Sequence, residues 1–139
     1  MICYVDASVL LRLVLDAPEP LAEWSGVDRG ISSEILRVEC RRALYRGRSR
    51  NLIDDDGLVA AFEATDGLYR KIDFAALTAP VLQRASDPLP TPVGALDAIH
   101  LTTALIWQVD EMRQFDAFLT HDVELGRAAR AMGLRVLGC

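Results

Sequence analysis

The chain has 139 residues, 51% hydrophobic and 25% charged, with a formal net charge of −5 at neutral pH. That length suits one domain spanning residues 1–139 and buries enough surface to fold without a disulfide or metal staple, and the apolar content excludes a disordered chain. The three cysteines are scattered without a C-x-x-C pair, the stretch before Asp16 has no basic leader, and no apolar run could span a bilayer, so the expectation is a reduced, cytoplasmic protein.

Short apolar runs alternate with longer helical stretches. Ile2 to Val5 reads as a buried strand ended by Asp6, and Ala7 to Leu15 as a helix. Pro18 to Trp24 is expected to form a second helix begun by proline. Arg29 to Ser32 is a weak strand, after which Ser33 is placed to cap a helix running to about Arg48. Asp54 or Asp55 caps the next helix, to about Tyr69. Ile72 to Leu77 reads as a strand, and Thr78 as the cap of a further helix. Ser86 to Gly94 holds three of the six prolines and is a loop. Helix follows from Ala95 to Val109, strand from Ala117 to Thr120, and a helix started by Asp122 and stopped by Gly133. Leu134 to Leu137 closes the chain as a strand. This alternation predicts an α/β fold, a parallel sheet covered on both faces. Ligands of such sheets sit beyond the carboxyl ends of the strands, which draws attention to Asp6 and to Thr120–His121–Asp122.

Each candidate residue has an ordinary reading beside the chemical one. Asp6 and Asp122 follow strands directly and are also good helix caps. Asp97 is ringed by apolar residues in Ala95–Leu96–Asp97–Ala98–Ile99, where a carboxylate must be paired, protonated or metal-bound unless it only steadies the first helical turn. His100, one turn on, reads as a packed or hydrogen-bonded core residue. Glu39 sits on the flank of a core stripe formed by Leu36, Cys40, Ala43 and Leu44. Arg42 and Arg46 share that flank, whereas Arg37, Arg41 and Arg48 lie on the other, so the local arginine cluster offers either a phosphate-binding patch or a solvated face. Ser8 and Thr120 could hydrogen-bond a carboxylate. Asp116 precedes its strand and projects from the opposite end, and His121 is expected at the surface. Ile35, Val38 and Tyr45 lie off the core stripe and could meet a partner or the chain's own next helix. No zinc pattern, dinucleotide fingerprint or P-loop is present.

Taken together, Asp6, Glu39, Asp97 and Asp122 map to positions that one sheet edge could gather. Clustered carboxylates need a cation or shifted proton affinities, and hard oxygen donors select Mg²⁺ or Mn²⁺. The residues by themselves lead to a metal-dependent phosphoryl hydrolase and no further.

Val5–Asp6–Ala7–Ser8, the helical Glu39, the run from Leu96 to Ala104 (LDAIHLTTA) and Leu119–Thr120–His121–Asp122 resemble the successive motifs of the PIN-domain family. Gly133 to Val136 resembles its closing strand, and the length is similar to that of VapC-type toxins. The resemblance implies a three-layer α/β/α sandwich with a mainly parallel sheet. It implies an acidic metal site of Asp6, Glu39, Asp97 and Asp122, with Ser8 and Thr120 as supporting hydroxyls. It further implies an endoribonuclease that uses Mg²⁺ or Mn²⁺, a homodimer, and a small cognate antitoxin. The mechanism expected on that basis is attack by metal-activated water, with Arg42 or Arg46 on flanking substrate phosphates. The competing readings are a non-catalytic binding or regulatory domain of the same fold, and a metal-dependent small-molecule phosphatase.

Overall fold

The computed structural model describes every residue from Met1 to Cys139. Five strands, β1 (Ile2–Val5), β2 (Arg29–Ser33), β3 (Ile72–Ala75), β4 (Ala117–Leu119) and β5 (Val136–Leu137), alternate with six helices. These are α1 (Ala7–Val14), α2 (Ile35–Ser49), α3 (Asp55–Tyr69), α4 (Ala79–Ala85), α5 (Ala95–Asp110) and α6 (Val123–Ala131). The strands form one sheet in the order β3-β2-β1-β4-β5, and every neighbouring pair is parallel.

That order determines the layers. From β1 the chain steps outward to β2 and then β3, and right-handed crossovers place α1, α2 and α3 on one face. It then returns past β1 to β4 and steps outward to β5, which places α4, α5 and α6 on the other face. Strand alternation matches this division. Cys3, Val5, Ala117 and Leu119 pack with Val9, Leu10, Leu36 and Cys40 of α1 and α2. Tyr4, Ile31 and Phe118 point the opposite way, onto Leu101 and Ala104 of α5 and Leu125, Ala128 and Ala129 of α6. Tyr4 stacks on Phe118 with ring centroids 4.9 Å apart.

Three local expectations change. Pro18 to Trp24 is not a helix; a 3₁₀ turn forms later, at Ala22–Gly26. Pro20 bars Glu19 from the helical region, and Glu19 takes φ +59° instead. Ser33 is the last residue of β2 rather than a cap; Glu34 occupies the cap position of α2 with no side-chain bond. The Ser33 hydroxyl still accepts from the Ile35 N–H, at 3.4 Å. The strands β3 and β5 are also shorter than the apolar runs that suggested them, ending or starting where pairing with β2 and β4 does. Other punctuation is as expected. Asp54, Thr78 and Asp122 cap α3, α4 and α6 with their side chains, and Gly133 stops α6 at φ +81°. All three cysteines are free thiols, and no helix is long and apolar enough to cross a membrane.

Along α5, burial decides which positions are sensitive to truncation. Leu101 is fully buried, whereas Val109 on the same helix is 73% exposed. Leu101→Ala is expected to lower unfolding free energy in urea by about 3 kcal/mol, and Val109→Ala by no more than about 0.5 kcal/mol. Equal losses would contradict this packing.

Candidate active site

Strand β1 is where the chain order reverses, so the carboxyl ends of β1 and β4 mark the switch point of the sheet. Helices in such a fold run antiparallel to the strands. The N-termini of α1, α2, α5 and α6 therefore converge above this edge, and their partial positive charge favours anions there. Asp6 caps α1, Asp122 caps α6, Asp97 lies in the first turn of α5, and Glu39 lies in the second turn of α2. All four line one cavity of about 370 Å³, together with Ser8, Arg42 and Arg46. Its apolar wall includes Leu11, Ile35, Val38 and Leu96.

Each carboxylate is differently held. Asp6 is buried, and its Oδ2 accepts from the Ser8 hydroxyl at 2.5 Å, the Thr120 hydroxyl at 2.9 Å and the Ser8 N–H at 3.2 Å. The same hydroxyls accept in turn from the next loop: His121 N–H donates to Ser8 Oγ and Asp122 N–H to Thr120 Oγ1, each at 2.9 Å. Ser8 and Thr120 thus lock Asp6 to the β4–α6 turn. Asp122 Oδ1 accepts from the Glu124 and Leu125 N–H groups, so the capping role is real. Glu39 Oε2 lies 2.5 Å from His100 Nε2. Asp97 has no hydrogen bond from the protein and is half-buried rather than enclosed. Burial first, and then the charges of Asp122, Asp6 and Glu39, push its pKa up to about 6.

As placed, no three His, Cys, Asp or Glu side chains are gathered tightly enough to cage an ion by themselves. The tethers explain the spacing: one oxygen each of Asp6, Asp122 and Glu39 is committed to a hydroxyl, a helix cap or an imidazole. The second oxygen of each, and both of Asp97, remain without a protein donor. This donor set fits a hard divalent cation. Mg²⁺ in particular is bound through one or two carboxylates, water and substrate phosphate rather than by an all-protein cage.

The arginine cluster divides along the two flanks of α2. Arg41 and Arg48 pair with Asp66 and Asp55 of α3, at 3.3 Å and 2.5 Å, and Arg37 lies over the Phe74 ring. Arg42 and Arg46 face the cavity and make no ion pair. Tyr45 packs edge-on against Phe62 of α3, and Ile35 and Val38 form the cavity wall, so the apolar face of α2 is shared between the next helix and the site. Asp116 is far from the chemistry: its carboxylate accepts from the Ile2 N–H at the opposite edge of the sheet. His121 is not at the surface as expected; it is half-buried, with Nδ1 2.8 Å from the Gly138 carbonyl. Sequence reasoning placed His100 in the core but missed its contact with Glu39. The available signal was a histidine one turn from Asp97 in a mostly apolar helix. A larger groove of about 1060 Å³ lies at the other end of α5, but Asp110 is its one carboxylate.

The architecture is that of a parallel α/β/α domain with an acidic cavity at its switch point. This chain belongs to the PIN-domain family, whose model matches residues 3–131. It is 30% identical over 137 residues to "Ribonuclease VapC47" of Mycobacterium tuberculosis, covering 94% of this chain and 91% of that one. It is likewise 30% identical over 138 residues to "Ribonuclease VapC46" of the same species, covering 96% and 95%. Among solved structures it is similar to a chain in the crystal structure of VapBC2 from Rickettsia felis bound to a DNA fragment from their promoter. The TM-score there is 0.63, with 98% of this chain and 97% of that chain covered. Sequence identity is 10%, so this last likeness shows the fold alone.

The raised proton affinity of Asp97 makes a stability prediction. Between its unfolded value of 3.8 and about 6, the folded protein holds a proton that the unfolded chain has released, so this group's contribution falls as pH rises through that window. At pH 7.5 in EDTA, Asp97→Asn is expected to stabilise the fold by about 1 kcal/mol after allowing for solvent screening, with the gain vanishing below about pH 4. Urea unfolding at the two pH values measures it. A variant less stable than wild type at pH 7.5 would contradict the electrostatic argument.

Proposed function

We propose that this protein is an endoribonuclease that depends on Mg²⁺ or Mn²⁺ and acts as the toxin of a two-protein toxin–antitoxin pair. One observation carries the reading: four acids from four different helix starts line the same cavity as two unpaired arginines. A cavity that binds a cation on one side and has cationic side chains on the other suits a phosphodiester, which must be neutralised from both. The ribonuclease names of the relatives, aligned over nearly the whole chain, support RNA as the substrate. The name VapBC2 on the chain of similar fold is in keeping with an antitoxin as partner; a homodimeric toxin is part of the same proposal.

Asp6, Asp97, Asp122 and Glu39 would hold the ion through the oxygens left free by their tethers. When bound, such an ion lowers the pKa of a water molecule and offsets charge that develops on the phosphoryl oxygens. The chain's own part is positioning. Ser8 and Thr120 fix the Asp6 carboxylate, and the cap bonds fix that of Asp122. Arg42 and Arg46, one turn apart on α2, bind substrate phosphates on the flank of the scissile bond. Leu11, Ile35, Val38 and Leu96 form the apolar wall beside the acids.

Cleavage of a panel of purified structured RNAs tests this reading. Wild type with Mg²⁺ or Mn²⁺ is expected to cut at least one RNA, and EDTA to abolish cutting. Asp6→Asn and Asp97→Asn, shown to be folded, are each expected to lose at least about 100-fold in rate, on the scale typical of groups that stabilise developing charge. Arg42→Ala with Arg46→Ala is expected mainly to raise KM and to flatten the salt dependence. Cutting at the wild-type rate by both Asn variants would overturn the assignment. Folded, partner-free wild type that neither cuts RNA nor binds metal would point to a non-catalytic binding domain.

A further inference from the structure

One of the fully buried polar groups beside the acids is an imidazole. His100 of α5 is fully buried, packed beneath the cavity floor. Its Nε2 lies 2.5 Å from Glu39 Oε2 and 3.9 Å from Asp6 Oδ1. Its Nδ1 lies 3.0 Å from the Tyr4 hydroxyl, and that hydroxyl accepts from the Ser33 N–H at 3.1 Å. Tyr4 is itself fully buried, with its ring stacked on Phe118, so it has no freedom to turn away. A continuous line of polar contacts therefore runs from the backbone at the end of β2, through Tyr4 in β1 and His100 in α5, to Glu39 in α2.

We propose that His100 is a positioning residue that holds the Glu39 carboxylate in the acidic cavity and keeps it off Arg42 and Arg46. The alternative partner is close by. Glu39 and Arg42 stand at i, i+3 on one helix flank, a spacing at which opposite charges pair. In the structure that pair does not form: Glu39 is bonded across the layers to α5, and both arginines stay unpaired beside the cavity. An exposed Glu–Arg pair is worth a few tenths of a kcal/mol, whereas a charge-assisted bond to a buried imidazole is much stronger. The Nε2–H donates to Glu39 whether the ring is neutral or charged. With the ring neutral, the Tyr4 O–H donates to Nδ1, which fixes the tautomer that presents Nε2–H to the carboxylate. One contact thus serves both halves of the site. It leaves Glu39 Oε1 free for a cation, and it leaves two guanidinium groups free for phosphates. This is the role that partners behind a metal-binding side chain commonly play.

The inference rests on the nuclease reading for its activity measurements alone, and a crystallographic measurement separates the two. Four proteins are compared: wild type, His100→Leu, His100→Gln and Tyr4→Phe. Gln carries an N–H donor at nearly the reach of Nε2, so it restores the bond to Glu39 without the ring. In metal-free crystals of His100→Leu, Glu39 is expected to swing onto Arg42 or Arg46, and in His100→Gln to stay in the cavity. Mn²⁺ affinity by calorimetry is expected to fall at least about ten-fold in His100→Leu, about three-fold in Tyr4→Phe, and less than about three-fold in His100→Gln. RNA cleavage is expected to show a higher KM in His100→Leu as well as a lower kcat, because the arginines become paired. Should His100→Leu not fold, the Gln and Phe variants carry the same comparison. If Glu39 keeps its wild-type position in the Leu variant, or if the Leu and Gln variants bind Mn²⁺ as tightly as wild type, the positioning role is overturned and the nuclease reading stands. If wild type itself neither binds Mn²⁺ nor cleaves RNA, the nuclease reading fails, and the position of Glu39 in the crystals still decides the role of His100.

Discussion

Right-handed crossovers in a parallel sheet leave little choice once the strand order is β3-β2-β1-β4-β5. The helices must divide between the faces at β1, and the loops leaving β1 and β4 must diverge, which opens a crevice above their carboxyl ends. Everything chemical in this molecule follows from that divergence. Asp6 is the first residue past β1 and Asp122 the third past β4, so they stand on either side of the crevice. Helix α2 enters from one layer and α5 from the other, and each contributes an acid from its opening turns. The hydroxyls of Ser8 and Thr120 then tie the two loops together through Asp6.

A cavity built this way is electrostatically incomplete. Four carboxylates share it, and the nearby arginines do not neutralise them through ion pairs. The strain falls on Asp97, the acid without a donor, whose proton affinity is raised first by burial and then by the charges of Asp122, Asp6 and Glu39. Structural carboxylates in the same chain behave in the opposite way: Asp55, bonded to Arg48, is held below its ordinary value. The contrast separates an acid that stabilises the fold from one that burdens it, and the burden lies where a ligand would relieve it.

The sequence made the frame legible because its signals are local. The short apolar runs mark the strands, and Asp54, Thr78 and Asp122 announce the helices that they cap. The four acids were legible for the same reason, since position relative to a strand end or a helix start is readable without tertiary knowledge. The flank division of α2 was readable too, because helical periodicity alone separates Arg42 and Arg46 from Arg37, Arg41 and Arg48. What was not legible involves partners distant in the chain. His100 could be placed in the core, but its bond to Glu39 joins residues 61 positions apart on helices from opposite layers. Local sequence suggests a surface position for His121, because nothing local says that the Gly138 carbonyl will lie against it. The stretch from Pro18 to Trp24 failed for a different reason: the second proline, at Pro20, outweighs the helix-starting value of the first.

The central claim is that these four acids form a site for a divalent cation. The most direct measurement is the urea unfolding midpoint of the wild-type protein at pH 7.5, with millimolar Mn²⁺ and with EDTA. Binding to the folded state alone raises stability by mass action. A site of this kind gives a higher midpoint with Mn²⁺ and no such increase in the Asp6→Asn protein. An identical midpoint with Mn²⁺ and with EDTA, or an increase of equal size in the variant, would contradict such a site.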